Sequence, residues 1–245
     1  MGPFSTVNYG AGTYARGIDL GAVMRQVYLW LAVGLSIGFG VAFALGRALL
    51  NAEATGVATG VAGLVLNPAA IIVSLLVYIV IGFAFYPVVR RAPIGVGAVL
   101  YMLFAAIFGF FISTIFLYYS VQEIALAFAT TAGMFLVMSV IGFVTRADLS
   151  KLGMILFMAL IGLIIASVVN IFLASGTLYW IITYAGVVIF CGLIAYDTQW
   201  IKRSAAQVAG STQSEERLAL IGAFKLFLDF INLFMFLLRI FGRDR

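Results

Sequence analysis

Lys225-Leu-Phe-Leu-Asp-Phe-Ile-Asn-Leu-Phe-Met-Phe-Leu-Leu-Arg239 is an apolar helix interrupted by charge in places where lipid tolerates none. Lys225, Asp229, Asn232, Phe236 and Arg239 recur at the three- and four-residue steps of one helix face, so the polar groups form a stripe. A charged side chain at the bilayer centre costs at least about 2.5–3.5 kcal/mol on insertion scales. The stripe must turn toward other helices or water. This stretch therefore predicts a helix in the middle of a bundle.

The rest of the chain supplies that bundle. Of 245 residues, 64% are apolar and 9% charged, against about 45–50% and about 25% in soluble domains. Too few charges remain to build a water-facing surface, which excludes a soluble globule. With 22 Phe and 26 Gly, packed membrane helices fit better than a β-barrel, whose strands would alternate polar and apolar residues. Apolar runs near the spanning length of about 20 residues occur at Val27–Leu50, Ala69–Val89, Ile94–Tyr118, Ile124–Val144, Leu152–Ala174 and Leu178–Ile201. Leu218–Phe241 is the seventh, with Lys225 and Asp229 inside it. The expected fold is an all-α polytopic membrane protein, with seven transmembrane helices and the last one central. Residues 1–24 read as a polar cytoplasmic segment without a signal-peptide core, and 25–245 as a single membrane domain.

Charge sets the orientation. Arg16, Arg25, Arg90, Arg91, Arg146, Lys151, Lys202, Arg203 and Arg217 fall on the N-terminal side, whereas the opposite loops offer Arg47 beside Glu53 and Glu123. The N-terminus is expected in the cytoplasm. Arg239, Arg243 and Arg245 break this rule if the seventh segment crosses; the buried stripe nevertheless favours crossing over re-entry. The net charge of +5 is spread thinly at segment ends and is no nucleic-acid signal. The absence of His excludes zinc-protease, Ser/His and imidazole-switch chemistry, and the lone Cys191 reads as an inert packing residue. Gly34-x-x-x-Gly38, Gly56-x-x-x-Gly60 and Gly109 read as close helix-packing positions.

A second acid, Asp197, lies near the end of the sixth span, in Ala195-Tyr-Asp-Thr-Gln199. If Lys225 snorkels to the interface, Asp229 lies roughly 6 Å deeper at about 1.5 Å per residue, near the depth of Asp197. Two facing carboxylates titrate as a unit, which gives a chain without His a proton sensor. The plainer reading is local neutralisation, Lys225 pairing with Asp229 one turn away. Asp197 has no base within one turn of its own span. Arg90 and Arg91 close the second span as topology anchors, or one of them reaches in to an acid. Asp148 reads as a solvated loop acid capping the fifth span, and Tyr179 and Trp180 as an aromatic belt.

The chain resembles the bacterial branch of the transmembrane Bax inhibitor motif family in three motifs. These are Gly142-Phe-Val-Thr-Arg-Ala-Asp-Leu-Ser150, Ala195-Tyr-Asp-Thr-Gln199 and the stretch from Leu226 to Gly242. The resemblance implies a last helix between two three-helix layers. It also implies a pH-sensitive calcium leak governed by an aspartate pair, which maps to Asp197 and Asp229. An arginine latch ending the second helix is implied too, at Arg91 with Arg90 beside it. Some relatives carry an acid within the second helix; Ala69–Val89 has none.

The expected function is accordingly a calcium-permeable leak channel gated by the Asp197/Asp229 pair. Lys225, Asn232 and Asp148 are supporting residues, and Ca²⁺ is the transported ion, contacting Asp197 and Asp229. Two carboxylates cannot complete a shell of 6–8 oxygens, so no tightly bound cofactor is expected. The partners expected are the bilayer, calcium ions and protons, with no nucleic acid. A proton-coupled calcium exchanger would use the same acids. A regulator that binds a membrane protease or stress partner, and transports nothing, is the alternative from another class. A retinal protein is disfavoured because Lys225 lies near its helix end and spans one to five hold no acid. No nucleophile–base set points to an enzyme. The expected location is a bacterial cytoplasmic membrane.

Overall fold

The computed structural model describes residues 20–57, 60–208 and 211–242. Arg16 and Asp19 of the N-terminal segment, and Arg243 and Arg245, lie outside the described residues. The described chain is helical without strands: α1 (Leu20–Thr55), α2 (Gly60–Leu66), α3 (Pro68–Arg91), α4 (Ile94–Ile112), α5 (Ile115–Tyr118), α6 (Val121–Val144), α7 (Ser150–Leu173), α8 (Gly176–Val208) and α9 (Thr212–Phe241). Seven stretches are long and apolar enough to cross a membrane, with α4 and α5 together making one of them. The protein is an integral multi-pass membrane protein.

Local chemistry sets the helix ends. Asn67 caps α3 by accepting from the backbone amides of Ala69 and Ala70, and Pro68 occupies the first helical position. Ser120 and Glu123 close a reciprocal capping box at the start of α6. Ala174, at φ 47°, ends α7 in the left-handed region. Between α4 and α5, the Ser113 and Thr114 hydroxyls donate to the carbonyls of Phe110 and Phe111 and interrupt the helix without ending the span. Most spans run beyond the apolar runs, because capping residues and interfacial turns extend them. The sixth, for example, continues to Val208 rather than Ile201.

Two layers sandwich one helix. α1, α3 and α4 pack together on one side, and α6, α7 and α8 on the other; α9 lies between and touches α1, α3, α4, α6 and α8. In the most apolar window of α9, 72% of the residues are buried, against 11% in α3. Lipid tails are as apolar as Leu, so this burial stabilises through close packing rather than exclusion of water. Phe227 and Phe234 are fully enclosed, and Phe224 stacks on Phe85 at 4.0 Å between ring centroids. The glycines permit the approach: a Cβ on Gly109 of α4 would stand 2.3 Å from the carbonyl oxygen of Gly38 on α1. Gly56 and Gly60 do otherwise. Both have positive φ and open space around them, so they turn the chain into α2 instead of packing helices.

The seventh segment is one continuous 30-residue helix, about 45 Å at about 1.5 Å per residue, with no re-entrant break. α7 is the exception to dense packing. It lies mainly against α8, and a cavity of about 1030 Å³ separates it from α9.

Candidate functional site

Asp197 and Asp229 lie on α8 and α9, whose antiparallel packing brings the two acids to one level. Each residue is only 6% exposed, and both line one cavity beside Lys225. Lys225 Nζ donates to Asp197 Oδ1 at 2.5 Å. The ammonium also lies 4.6 Å from the ring centroid of Trp200 and 5.7 Å from that of Tyr196, where the π faces attract a cation. Asp229 Oδ2 is buried and accepts no hydrogen bond. The centre is thus two neighbouring buried carboxyls and one ammonium, roofed by two aromatic rings.

The base pairs differently from the local neutralisation weighed above. A helical side chain leans toward the N-terminus of its helix. Lys225 therefore leans away from Asp229, and across to the acid that α8 presents. The bond to Asp197, rather than water at the interface, satisfies the ammonium. Asn232 lines the same cavity, but its amide donates to the Leu228 carbonyl of its own helix at 2.7 Å.

Arg90 and Arg91 make no ion pair with either acid in this structure; among the described residues Asp197 pairs with Lys225 and Asp148 with Arg203. Arg90 instead lies over the Tyr86 ring. Both arginines close the second span at the end of α3, on a helix that touches α9 but does not reach α8 closely. The arginine that ties α3 to α9 is Arg217, which donates to the backbone carbonyls of Arg90 at 2.5 Å and Ala92 at 3.1 Å.

Asp148 stands apart from the acid pair. Its carboxylate accepts from the Ser150 amide at 2.9 Å and pairs with Arg203 at 2.6 Å. These bonds, the Ser150 amide first, hold the exposed carboxyl well below the usual carboxylate range. Around it α8 clasps the α6–α7 loop. Gln199 accepts from Leu149 N–H and donates to the Ala147 carbonyl, and Lys202 donates to the Phe143 carbonyl.

The cavity joins this centre to α7. Ser150, Gly153, Phe157, Leu163, Ser167 and Ile171 face Asp197, Lys225, Asp229 and Asn232 across it. From Ser150 to Ile171 is about 32 Å of helix at about 1.5 Å per residue, close to the hydrocarbon thickness of about 30 Å. Among the described residues, no group of three or more acids, Cys or His gathers to hold a metal ion. Asp197 Oδ1, which a cation would use, is occupied by the lysine.

Fold and site together define a polytopic α-helical membrane protein with a carboxyl pair and a lysine buried beside its central helix. Residues 20–245 match the family described as "Inhibitor of apoptosis-promoting Bax1", and the chain belongs to that Bax inhibitor family. It is 47% identical over 158 residues to inner membrane protein YbhL of Escherichia coli K12, covering 64% of this chain and 68% of that protein. It is 39% identical over 179 residues to an uncharacterized protein of Borreliella burgdorferi, covering 73% and 77%. An uncharacterized membrane protein of Streptococcus pyogenes serotype M3 is 41% identical over 176 residues, covering 72% and 73%.

Proposed function

We propose that the Asp197–Asp229 pair, with Lys225, gates a pH-sensitive calcium leak along the fissure between α7 and α9. The protein would sit in a bacterial cytoplasmic membrane with its N-terminus inside. The observation that carries this reading is two buried carboxyls beside one lysine at the wall of a cavity about as long as the hydrocarbon core. Carboxylate oxygens are hard ligands suited to Ca²⁺, and two of them provide a transient contact rather than a tight site. Lys225 competes for the same oxygen, so an ion advances only when the ammonium is displaced. Protons act on that competition: each proton taken up removes negative charge that faces Lys225 and weakens the α8–α9 tie. Acidification is expected to open the path.

Calcium flux into proteoliposomes across a pH series tests this. Asp197→Asn and Asp229→Asn keep the size but cannot titrate, so each should flatten the pH dependence beyond any change of amplitude. If both retain the wild-type profile, the pair is structural and the proposal fails. Flux that reverses with an imposed proton gradient would instead identify an exchanger using the same acids.

A further inference from the structure

Between Leu218 and Arg239, the part-exposed positions of α9 are Lys225, Leu228, Asn232, Met235 and Arg239, spaced by three and four residues along one face. Lys225, Leu228 and Asn232 line the fissure. Arg239 lines a pocket of about 270 Å³ with Asn170 and Tyr179, and this pocket shares Ser167 and Ile171 with the fissure. The two spaces therefore adjoin along α7.

Among the described residues, the Arg239 guanidinium and the Asn170 amide nitrogen in that pocket donate no hydrogen bond. The Arg239 guanidinium lies 5.7 Å from the Tyr179 ring centroid and 5.3 Å from that of Phe236, and no acid pairs with it among the described residues. Asn170 Oδ1 accepts from the Ser175 amide, which leaves its amide hydrogens unspent. Tyr179 lines the same wall. A guanidinium fork with an amide and a phenol suits a phosphate diester. Tyr179 meets Trp180 edge to face and Trp180 stacks on Tyr184, a belt of the kind found at headgroup depth. Below them the fissure wall is apolar, with Phe157, Leu163, Ile164 and Leu228. From Arg239 to Asp229 is roughly 15 Å at about 1.5 Å per residue, half of the hydrocarbon core of about 30 Å.

We propose that this fissure binds a phospholipid, with its phosphate on Arg239, Asn170 and Tyr179 and one acyl chain reaching to the level of Asp229. The binding stands on this geometry alone. That the chain blocks the route past the acid pair rests on the calcium-leak reading above. A lipid leaving the fissure would open that route, and one entering would close it.

The test uses the full chain, stripped of lipid in a non-ionic detergent and titrated with dioleoyl phosphatidylglycerol under native mass spectrometry. The wild type should form a one-to-one adduct. Arg239→Gln should weaken it on the order of tenfold, the loss of a charge-assisted contact. Ile164→Trp, which fills the apolar wall without touching the headgroup site, should weaken it as well. Should Arg239→Gln fail to fold, Arg239→Lys keeps the charge, loses the fork, and should bind several-fold more weakly. Equal adducts in wild type and the Arg239 variants would overturn the proposal, as would indifference to Ile164→Trp. Competition by inorganic phosphate at concentrations equal to the lipid would mark a free-anion site instead and overturn it too. Adduct formation without measurable calcium flux would leave the lipid site standing and remove only the leak reading.

Discussion

Lys225 gives its hydrogen bond to a carboxylate on the neighbouring helix while the acid on its own helix, one turn on, keeps a buried oxygen without a donor. The two acids are therefore not equivalent. Asp197 holds the cation, and Asp229 stands nearby with a buried oxygen that has no donor. Removing one partner of a buried ion pair leaves an uncompensated charge, at a cost of about 3–5 kcal/mol. Lys225 is 34% exposed along its side chain, so Lys225→Met should fall at or below the low end of that range. The loss should be largest at alkaline pH and shrink on acidification, when Asp197 takes up a proton. Adding Asp197→Asn should restore most of it, because no charge is then left unpaired. Thermal unfolding in detergent across pH checks this, and a penalty independent of pH would contradict it. The two acids were legible in the sequence, since each breaks an apolar run. The lysine's true partner was not. It lies 28 residues away, and only the relative rotation of α8 and α9 selects it over the local choice. Tyr196 and Gln199 sat in a quoted motif without an assigned role, and Arg217 was counted only as a topology charge.

The elements are tied at one end of the bundle by side chains that reach backbone. Arg217 on α9 holds the end of α3, Gln199 and Lys202 on α8 hold the loop before α7 and the end of α6, and Arg203 adds an ion pair to the Asp148 side chain. These ties flank the acid pair, so their own response to pH matters. Asp148 has a folded-state carboxyl held below its ordinary value of 3.8. Its contribution is therefore complete above that ordinary value and is lost only as pH falls toward the folded one. Across about pH 5–8 the Asp148–Arg203 tie does not change charge. Asp148→Asn should accordingly leave the midpoint of any pH response of calcium flux unmoved. A shifted midpoint would make Asp148 part of the sensor. Helix existence was readable from apolar length. The clasp was not, because hydrogen bonds from one helix to a loop some fifty residues distant leave no periodic trace.

At the scale of the whole molecule, the bundle has its N-terminal and C-terminal ends on opposite faces, because seven spans follow one another through short connections. The conflict with charge counting eases once Arg239 is placed. It lies in a pocket against aromatic rings, not in a free loop where orientation rules count it. A reporter fused after α9 should be accessible only from the face opposite the N-terminus; labelling from the same face would require a re-entrant seventh segment. The central place of the last helix was legible because its stripe could not face lipid. The fissure was not, since nothing in the composition of α7 says that it stands away from α9.

The helix at the centre is also the last of the seven spans in chain order. N-terminal elements generally fold first during synthesis, so six spans enter the membrane before the piece that both layers pack upon exists. Until then their inner faces meet lipid or each other, and α3 lacks the arginine that fastens its end. The late arrival is itself a poor passenger: it carries Lys225, Asp229, Asn232 and Arg239, and charges of this kind cost several kcal/mol on insertion into bare lipid. Its entry is favourable only because a prepared slot, with Asp197 already in its wall, receives Lys225. These seven spans thus close by a docking event between a six-helix shell and a late strut, and any change that spoils the slot acts on biogenesis before it acts on the assembled protein.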